Sequence, residues 1–278
     1  MAARANSSVL DRLVWCSRAA RLALEDPVEG LDRALLRLVR RGAEPIQAAE
    51  ADPAWEIHLH TLLGAPWPCR ECSAFEGVYE TTTAELEAQG LDVGRGAFGG
   101  WDDADPAFAR AVWCLAVHLH PTTVVETGVA RGVTTRIILE ALDRSEAGHL
   151  WSIDRPPLDR DLHSQIGAAV PATLRRRWTL VRGTSRRMLP SLLGSLGQID
   201  LFVHDSLHSQ RNLSFELTRA WGAMRGAGAL AADDVNQNAA FRPFVSTVPA
   251  LAGIVAPADD GHSLFGVAVP QRAPARWS

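Results

Sequence analysis

Residues 123–142 read TVVETGVARGVTTRIILEAL, and this stretch indicates the type of fold. It begins with a run rich in β-branched residues, passes through Gly128 and Gly132, and continues as a helical pattern. Glycine permits a tight turn and a close backbone approach, and the first N–H groups of a helix lack partners within the helix. We therefore predict a strand, a glycine loop and a helix, with the loop holding a polar small molecule.

Six further apolar runs extend this unit into a predicted sheet of seven strands. From about residue 120 onward, short apolar runs alternate with helical patterns, which is typical of a parallel α/β fold. The predicted strands are TVVET (123–127), LWSID (150–154), TLVRG (179–183), DLFVHD (200–205), ALAAD (229–233), GIVAP (253–257) and LFGVAV (264–269).

One helical pattern between the fourth and fifth strands is especially regular. In RNLSFELTRAWGAM (211–224), one face carries the apolar residues Leu213, Leu217, Ala220 and Met224. Gly226 lies where such a helix would end. We therefore predict a helix that continues through Met224.

The first hundred residues carry helical patterns instead of strands. These patterns occur at about 8–24 and 31–41, and again in DPAWEIHLHTLLG, where Asp52 can cap a helix and Pro53 can open it. The segment GRGAFGGWDD (94–103) follows, and its four glycines suit either a plain connector or a cover over a bound ligand.

The composition excludes several classes of protein. A net charge of -4 with 47% hydrophobic residues indicates a soluble protein without a broad attraction for nucleic acid. No apolar run approaches the roughly 18 residues of a membrane span. Four cysteines without a signal sequence suggest reduced thiols and a cytoplasmic location. All 28 basic residues are arginine, so that Schiff-base chemistry and a phosphate-binding P-loop, which need lysine, are excluded.

Two acidic residues indicate the kind of ligand that the glycine loop binds. The loop reads G-x-x-x-G and lacks the third glycine of the dinucleotide fingerprint. Glu126, two residues before Gly128, disfavours a phosphate and favours an ammonium group. Asp154 ends the second strand, 22 residues after Gly132, and can accept hydrogen bonds from ribose hydroxyls. A ligand with an amino acid head and a ribose but no phosphate satisfies both acids.

These motifs resemble those of the class I S-adenosylmethionine-dependent methyltransferases, over about residues 120–270. The resemblance is carried by VVETGVARG on the first strand, SID on the second and RGTS (182–185) after the third. It implies a doubly wound, Rossmann-like α/β sheet whose last hairpin is antiparallel and closed by GHSLFGVAV (261–269). It also implies S-adenosylmethionine as cofactor, with the methionine end near Glu126, Gly128 and Gly132, the ribose at Asp154, and the adenine near Thr184 and Ser185.

The ends of the fourth and fifth strands resemble a methyltransferase subfamily. This subfamily groups catechol-type and sugar or antibiotic O-methyltransferases with cephalosporin-hydroxylase-like proteins. The resemblance implies a divalent cation at Asp205, Asp233 and Asp234, with Asp205 also facing the cofactor. Three carboxylates suit Mg²⁺, which would lower the pKa of an acceptor hydroxyl. Without a metal, His208 can act as the general base, and both routes stay open.

The run His204, Asp205, Ser206 also contains the residue types of a hydrolase triad. Adjacent residues point in different directions, however, and the chain has no G-x-S-x-G pentapeptide. We therefore expect His204 to pack within its apolar strand and Ser206 to form a turn.

A C-x-x-C step formed by Cys69 and Cys72 lies close to His58 and His60, which raises the possibility of zinc. If residues 53–63 are helical, the two histidines lie about 200° apart around the axis and cannot both reach one ion. We therefore expect Cys69 and Cys72 to be buried or to cap a turn.

The sequence as a whole predicts a methyltransferase acting on a hydroxyl of a small molecule, such as a sugar or a natural product. Residues 1–100 are expected to form a helical extension that caps the acceptor or makes a dimer contact, and residues 101–278 the cofactor-binding domain. A homo-oligomer is left open, and no nucleic acid or membrane partner is expected. The alternatives are a nicotinamide-dependent oxidoreductase, which the missing glycine disfavours, and a cofactor-binding partner protein without turnover.

Overall fold

The computed structural model describes residues 50–157 and 159–271, together with isolated positions between 24 and 31. The helices predicted at 8–24 and 31–41 therefore lie almost wholly outside the described residues. Within the described residues, no helix is long and apolar enough to cross a membrane.

The described ranges contain one sheet of seven strands. They are β1 (Thr123–Thr127), β2 (His149–Asp154), β3 (Trp178–Arg182), β4 (Ile199–His204), β5 (Met224–Ala232), β6 (Leu251–Pro257) and β7 (Leu264–Pro270). Their order is β3-β2-β1-β4-β5-β7-β6. The first five are parallel to their neighbours, whereas β7 runs antiparallel to β5 and β6. The predicted sheet and its antiparallel last hairpin are confirmed.

Helices precede the sheet and cover both of its faces. In the described part of the chain they are α1 (Trp55–Leu63), α2 (Arg70–Ser73), α3 (Phe75–Ala88), α4 (Pro106–Leu119), α5 (Val133–Arg144), α6 (Ser185–Leu196), α7 (Gln210–Gly222) and α8 (Phe241–Thr247). The start of α4 follows from its sequence, since Pro106 opens the helix and Asp105 accepts a hydrogen bond from Ala107 N at 2.8 Å.

The central strands β1 and β4 are almost completely buried on both faces, which is typical of strands inside a parallel sheet. On β1, Val124 joins the core on the side of α4 and α5, whereas its neighbour Val125 joins the core on the side of α6 and α7. Leu59 of α1 and Phe75 of α3 belong to the first of these cores. The helices before residue 100 thus pack together with α4, while the domain boundary at residue 100 stays a prediction.

The helix between β4 and β5 is shorter than predicted. It ends at Gly222, and Met224, predicted as its last apolar residue, instead begins β5 and pairs with Ile199 of β4. Gly226 accordingly lies within β5 rather than at a helix end. The apolar pattern with helical spacing continues through Met224, but such a local pattern carries no information about pairing with a neighbouring strand.

The prediction of a helix cap at Asp52 is also wrong in detail. Helix α1 begins at Trp55, and Asp52 Oδ1 accepts a hydrogen bond from Ala54 N at 2.9 Å in the turn before the helix. Asp52 lies two residues before the N-cap position of α1, because its own N–H donates to Val255 O of β6 at 2.7 Å. That bond holds residue 52 against the edge of the sheet, and the chain turns into the helix only afterwards.

Candidate active site

The glycine loop joins β1 to α5 and lies against the loop that follows β4. Gly128 has φ 89°, and a Cβ there would lie 1.8 Å from Asp205 O. Asp205 N donates to Thr127 O at 2.8 Å, which continues the pairing of the two strands. Gly132 has φ 86° and precedes the first residue of α5. Both predicted loop glycines therefore occupy positions that side chains disfavour.

Glu126 lies at the carboxyl end of β1 and is fully buried. Its Oε2 accepts hydrogen bonds from Thr135 Oγ1 at 2.8 Å and Ser152 Oγ at 2.6 Å. Its Oε1 has no hydrogen-bond partner among the described residues. Burial raises the pKa of Glu126 to about 8. One buried oxygen is thus available for a donor such as an ammonium group.

The other predicted cofactor residues lie at the neighbouring strand ends. Asp154 is the last residue of β2, and its O accepts a hydrogen bond from Gly183 N at 2.9 Å. Thr184 precedes the first turn of α6, and Ser185 begins that helix. Ser185 Oγ donates to Asn212 Oδ1 at 3.4 Å, so its hydroxyl is turned toward α7.

The loops after β4 and β5 bring Asp205, His208 and Asp233 together. One ligand atom of each lies within 4.8 Å of the others. His208 Nε2 lies 3.9 Å from Asp205 Oδ1, and among the described residues this buried nitrogen has no hydrogen-bond partner. The three groups can therefore hold a cation from three sides.

Asp234 stands behind His208 rather than in this group. His208 Nδ1 donates to Asp234 Oδ2 at 2.7 Å, so Nε2 carries the lone pair. Asp234 has φ 52°, in the left-handed region, and its carboxylate is not part of the group formed by Asp205, His208 and Asp233. Of the three predicted metal ligands, the structure groups Asp205 and Asp233, adds His208, and gives Asp234 the task of orienting that imidazole.

Burial and the neighbouring charges explain the pKa shifts of Asp205, Asp233 and His208. Burial and the nearby charges of Glu126 and Asp234 raise the pKa of Asp205 well above its ordinary value. Burial and the charge of Asp205 do the same for Asp233. Burial alone would lower the pKa of His208, but the hydrogen bond to Asp234 and the negative charges of Asp234, Asp233 and Glu216 together outweigh it and raise the pKa. A divalent cation would relieve the repulsion between these carboxylates.

Sequence reasoning missed Glu216 of α7, a buried acid that holds the loop after β4 in place. It accepts hydrogen bonds from four side chains: Thr127 at 2.6 Å, His204 at 2.6 Å, Ser206 at 2.9 Å and Asn212 at 2.8 Å. Burial would raise its pKa, but the neighbouring His204 and these hydrogen bonds lower it to about 2. A signal was available, because residue 216 lies on the same helix face as Leu213 and Leu217.

The residues of the apparent triad have separate tasks. His204 is fully buried, as expected, and Ser206 donates to Glu216 rather than to a histidine. The two histidine rings lie 5.6 Å apart, with His204 bound to Glu216 and His208 to Asp234. The geometry offers no serine nucleophile in this stretch.

Arg131 of the glycine loop binds the glycine-rich segment 94–103. Its guanidinium donates to Ala97 O at 2.5 Å and to Asp92 O, and lies 3.7 Å from Asp103 Oδ2. Arg131 Nε also donates to Gln165 Oε1 at 3.2 Å. The segment is therefore fastened to the glycine loop and is more than a plain connector.

The strand order, the glycine loop and the acids at the strand ends define the class I methyltransferase fold. Within it, residues 125–235 match the family model Methyltransf_24, described as a methyltransferase domain. The chain thus carries a methyltransferase domain, and the resemblance drawn from its motifs is confirmed.

Two solved structures are similar to the chain. A cofactor-bound structure of Rv0187 from MTB is 16% identical, with a TM-score of 0.52, and the match covers 80% of this chain and 98% of that one. A protein from Klebsiella pneumoniae, provisionally described as an O-methyltransferase, is 17% identical, with a TM-score of 0.50 and coverage of 79% and 97%. At these identities the structures show a shared fold. No curated protein matches the chain.

Proposed function

We propose that the protein transfers a methyl group from S-adenosylmethionine to a hydroxyl oxygen of a small molecule. One observation carries the proposal: Glu126 Oε1 and His208 Nε2, two buried atoms without partners among the described residues, lie at the carboxyl ends of adjacent strands. Glu126 Oε1 can accept a hydrogen bond from the ammonium group of the donor, and His208 Nε2 can interact with the acceptor hydroxyl, either directly or through a cation.

Contacts to the donor are assigned to the loops after β1, β2 and β3. Glu126 accepts from the ammonium group, while the backbone at Gly128 and Gly132 approaches the methionine moiety. Asp154 accepts from the ribose hydroxyls. The adenine lies beside Thr184 and the first turn of α6. The hydroxyl of Ser185 in that turn donates to Asn212 rather than to the adenine. S-adenosylmethionine supplies an electrophilic methyl group.

A divalent cation is assigned to Asp205, His208 and Asp233. Two carboxylates suit Mg²⁺ or Mn²⁺, whereas the imidazole as a third ligand favours a transition metal such as Mn²⁺ over Mg²⁺. The hydrogen bond to Asp234 gives His208 the tautomer that a ligand needs. The cation would lower the pKa of the acceptor hydroxyl. The protein's own task is then to hold the acceptor oxygen in line with the methyl group.

A second route rests on the same imidazole. With Nδ1 donating to Asp234, His208 Nε2 can accept the acceptor's proton as a general base. One nitrogen cannot bind a cation and accept a proton at once, so the routes exclude each other. EDTA abolishes turnover and Mg²⁺ restores it if the cation is used, whereas unchanged turnover in EDTA assigns the base role to His208.

The proposal is tested by calorimetry with S-adenosylhomocysteine. We expect binding by the wild type and weaker binding by Asp154→Ala. Glu146→Gln, at an exposed position in the turn between α5 and β2, serves as the control. Transfer of labelled methyl to a pool of hydroxylated small molecules completes the test. An absence of heat with the wild type would refute the proposal, and binding without labelled product would indicate a partner protein without turnover.

The remaining expectations are part of the proposal. A cytoplasmic location agrees with Cys69, Cys72 and Cys114, which form no disulfide among the described residues, and the acceptor is assigned as a small molecule. Residues 1–100 are assigned as an acceptor cap or dimer contact, of which the attachment of segment 94–103 to Arg131 favours the cap.

A further inference from the structure

We propose that His60, Cys69, Cys72 and His118 form a structural zinc site, remote from the methyl-transfer chemistry. His60 lies on α1, Cys69 directly precedes α2, Cys72 lies within α2, and His118 lies in the last turn of α4. One ligand atom of each lies within 4.8 Å of all the others.

The distances within this cluster approach those around a tetrahedral zinc ion. His60 Nε2 lies 3.3 Å from Cys72 Sγ, and His118 Nε2 lies 3.2 Å from Cys69 Sγ and 4.0 Å from Cys72 Sγ. Zinc bonds of about 2.3 Å to sulfur and about 2.0 Å to nitrogen place tetrahedral ligands roughly 3.5 Å apart. For these three pairs of atoms, shifts of no more than about half an ångström would therefore suffice.

One imidazole already has the orientation that a ligand requires. His60 Nδ1 lies 2.6 Å from Glu56 O, and because a carbonyl only accepts, Nδ1 carries the proton. The lone pair of His60 then lies on Nε2, the atom that faces Cys72. Metal-binding histidines commonly make this bond to a backbone carbonyl.

The donor set and its burial favour zinc over other cations. Two sulfurs and two nitrogens form a ligand set typical of closed structural zinc sites, whereas Mg²⁺ and Ca²⁺ prefer oxygen. His60 is fully buried, and Cys69 and Cys72 are 8% and 6% exposed.

His118 is the ligand that the sequence pattern did not reveal. It follows Cys69 by 49 residues and belongs to a different helix. His58 is excluded as expected, because its side chain is 57% exposed and contacts Asp52. The ion would join α1 and α2 to α4, and so fix the helices before the sheet to the methyltransferase domain.

Metal analysis of the purified full-length protein tests the site. We expect about one zinc per chain in the wild type, and loss of that zinc in His60→Asn and in Cys72→Ser. His58→Asn is the matched control, since it changes a histidine on the same helix outside the cluster, and it should keep the metal. A wild type without zinc after growth and purification with added zinc would overturn the proposal, as would retention of zinc by both ligand variants.

A second measurement on the wild type avoids any failure of the variants to fold. Protein exchanged with Co²⁺ should show thiolate charge-transfer absorption and the intense visible bands of tetrahedral cobalt. A mercurial reagent that blocks thiols should release one zinc, which carboxylates would retain. Absence of thiolate–cobalt absorption contradicts the proposal. Both readouts are independent of methyl transfer, so they stand or fall separately from the proposed function.

Discussion

Among the described residues at the carboxyl end of the sheet, two buried polar atoms without hydrogen-bond partners are suited to bind a ligand. Buried polar atoms normally form hydrogen bonds. Among the described residues, Glu126 Oε1 and His208 Nε2 do not, although the opposite atom of each side chain is bound. Each side chain is thus held in place while one atom stays available to a ligand.

Replacing Glu126 with Gln tests the donor contact. The amide oxygen can still accept from Thr135 and Ser152, but the charge is lost. Because a hydrogen bond to a charged group contributes about 1.5–3 kcal/mol, affinity for S-adenosylhomocysteine should fall roughly 10- to 100-fold in calorimetry. Glu140→Gln on α5 is the control and should bind normally. Equal affinity in the two variants would remove Glu126 from the site.

The pKa of Glu126 also predicts how cofactor binding depends on pH. In the free protein this pKa is about 8, so the carboxyl group is mostly protonated at neutral pH. An ammonium ligand favours the carboxylate, and binding below pH 8 therefore releases a proton. Affinity should rise as the pH increases from about 6 to 8. Calorimetry in buffers of different ionisation enthalpy measures the proton release, which Glu126→Gln should abolish.

At the level of elements, α7 and the loop after β4 are joined through one buried acid. Glu216 receives four hydrogen bonds, from β1, from β4, from the loop and from its own helix. The loop carries Asp205 and His208, so the position of both depends on α7. Removing one member of a buried charged pair leaves the other uncompensated.

We expect Glu216→Ala to lower the free energy of unfolding by about 3–5 kcal/mol, as measured in denaturant. Thr218→Ala, at an exposed position of the same helix, should change it by less than about 0.5 kcal/mol. The pKa of Glu216 is lowered to about 2, so its stabilisation is present above the unfolded pKa and is lost as the pH falls toward 2. A similar acid sensitivity in Glu216→Ala would contradict this account.

The contact between the two site loops can be tested at Gly128. A Cβ there would lie 1.8 Å from Asp205 O, and φ is 89°. Gly128→Ala must therefore displace the loop after β4 and should cost more than about 2 kcal/mol of stability, with loss of cofactor binding. Gly77→Ala on α3, where no described atom lies within 4 Å, is the control and should be neutral or stabilising.

In the whole molecule, several contacts attach the chain before the sheet to the methyltransferase domain, among them the hydrogen bond from Asp52 N to Val255 O. Two others are the cluster of His60, Cys69, Cys72 and His118 and the contacts of Arg131. Arg131 is 4% exposed, and its guanidinium donates from the glycine loop to Ala97 O of segment 94–103. The Arg131 side chain therefore connects the glycine loop to this segment.

Arg131→Ala should release the segment from the glycine loop. We expect faster hydrogen exchange between residues 94 and 100 and easier cleavage there by a protease, together with weaker cofactor binding. Arg95→Ala is the control, because Arg95 lies in the segment and is exposed. Exchange rates equal to those of the wild type would show that other contacts hold the segment.

The sequence was sufficient for the sheet but not for contacts between distant elements. All seven strands were predictable, since each contains a short apolar run bounded by polar or turn residues. Met224 was misassigned because its pairing with Ile199 has no local signal. His118 was missed for the same reason, being 49 residues from Cys69. Glu216 differs from both, because an acid on an apolar helix face could have been noticed.

The close approach of Gly128 to Asp205 has a thermodynamic consequence. The glycine loop is assigned to the donor, and the loop after β4 is assigned to the cation. Because the contact between Gly128 and Asp205 has no room for a methyl group, a displacement of one loop by its ligand also displaces the other loop. The two ligands should then bind cooperatively. Linkage makes this coupling reciprocal, so the factor by which the cation tightens the cofactor must equal the factor by which the cofactor tightens the cation.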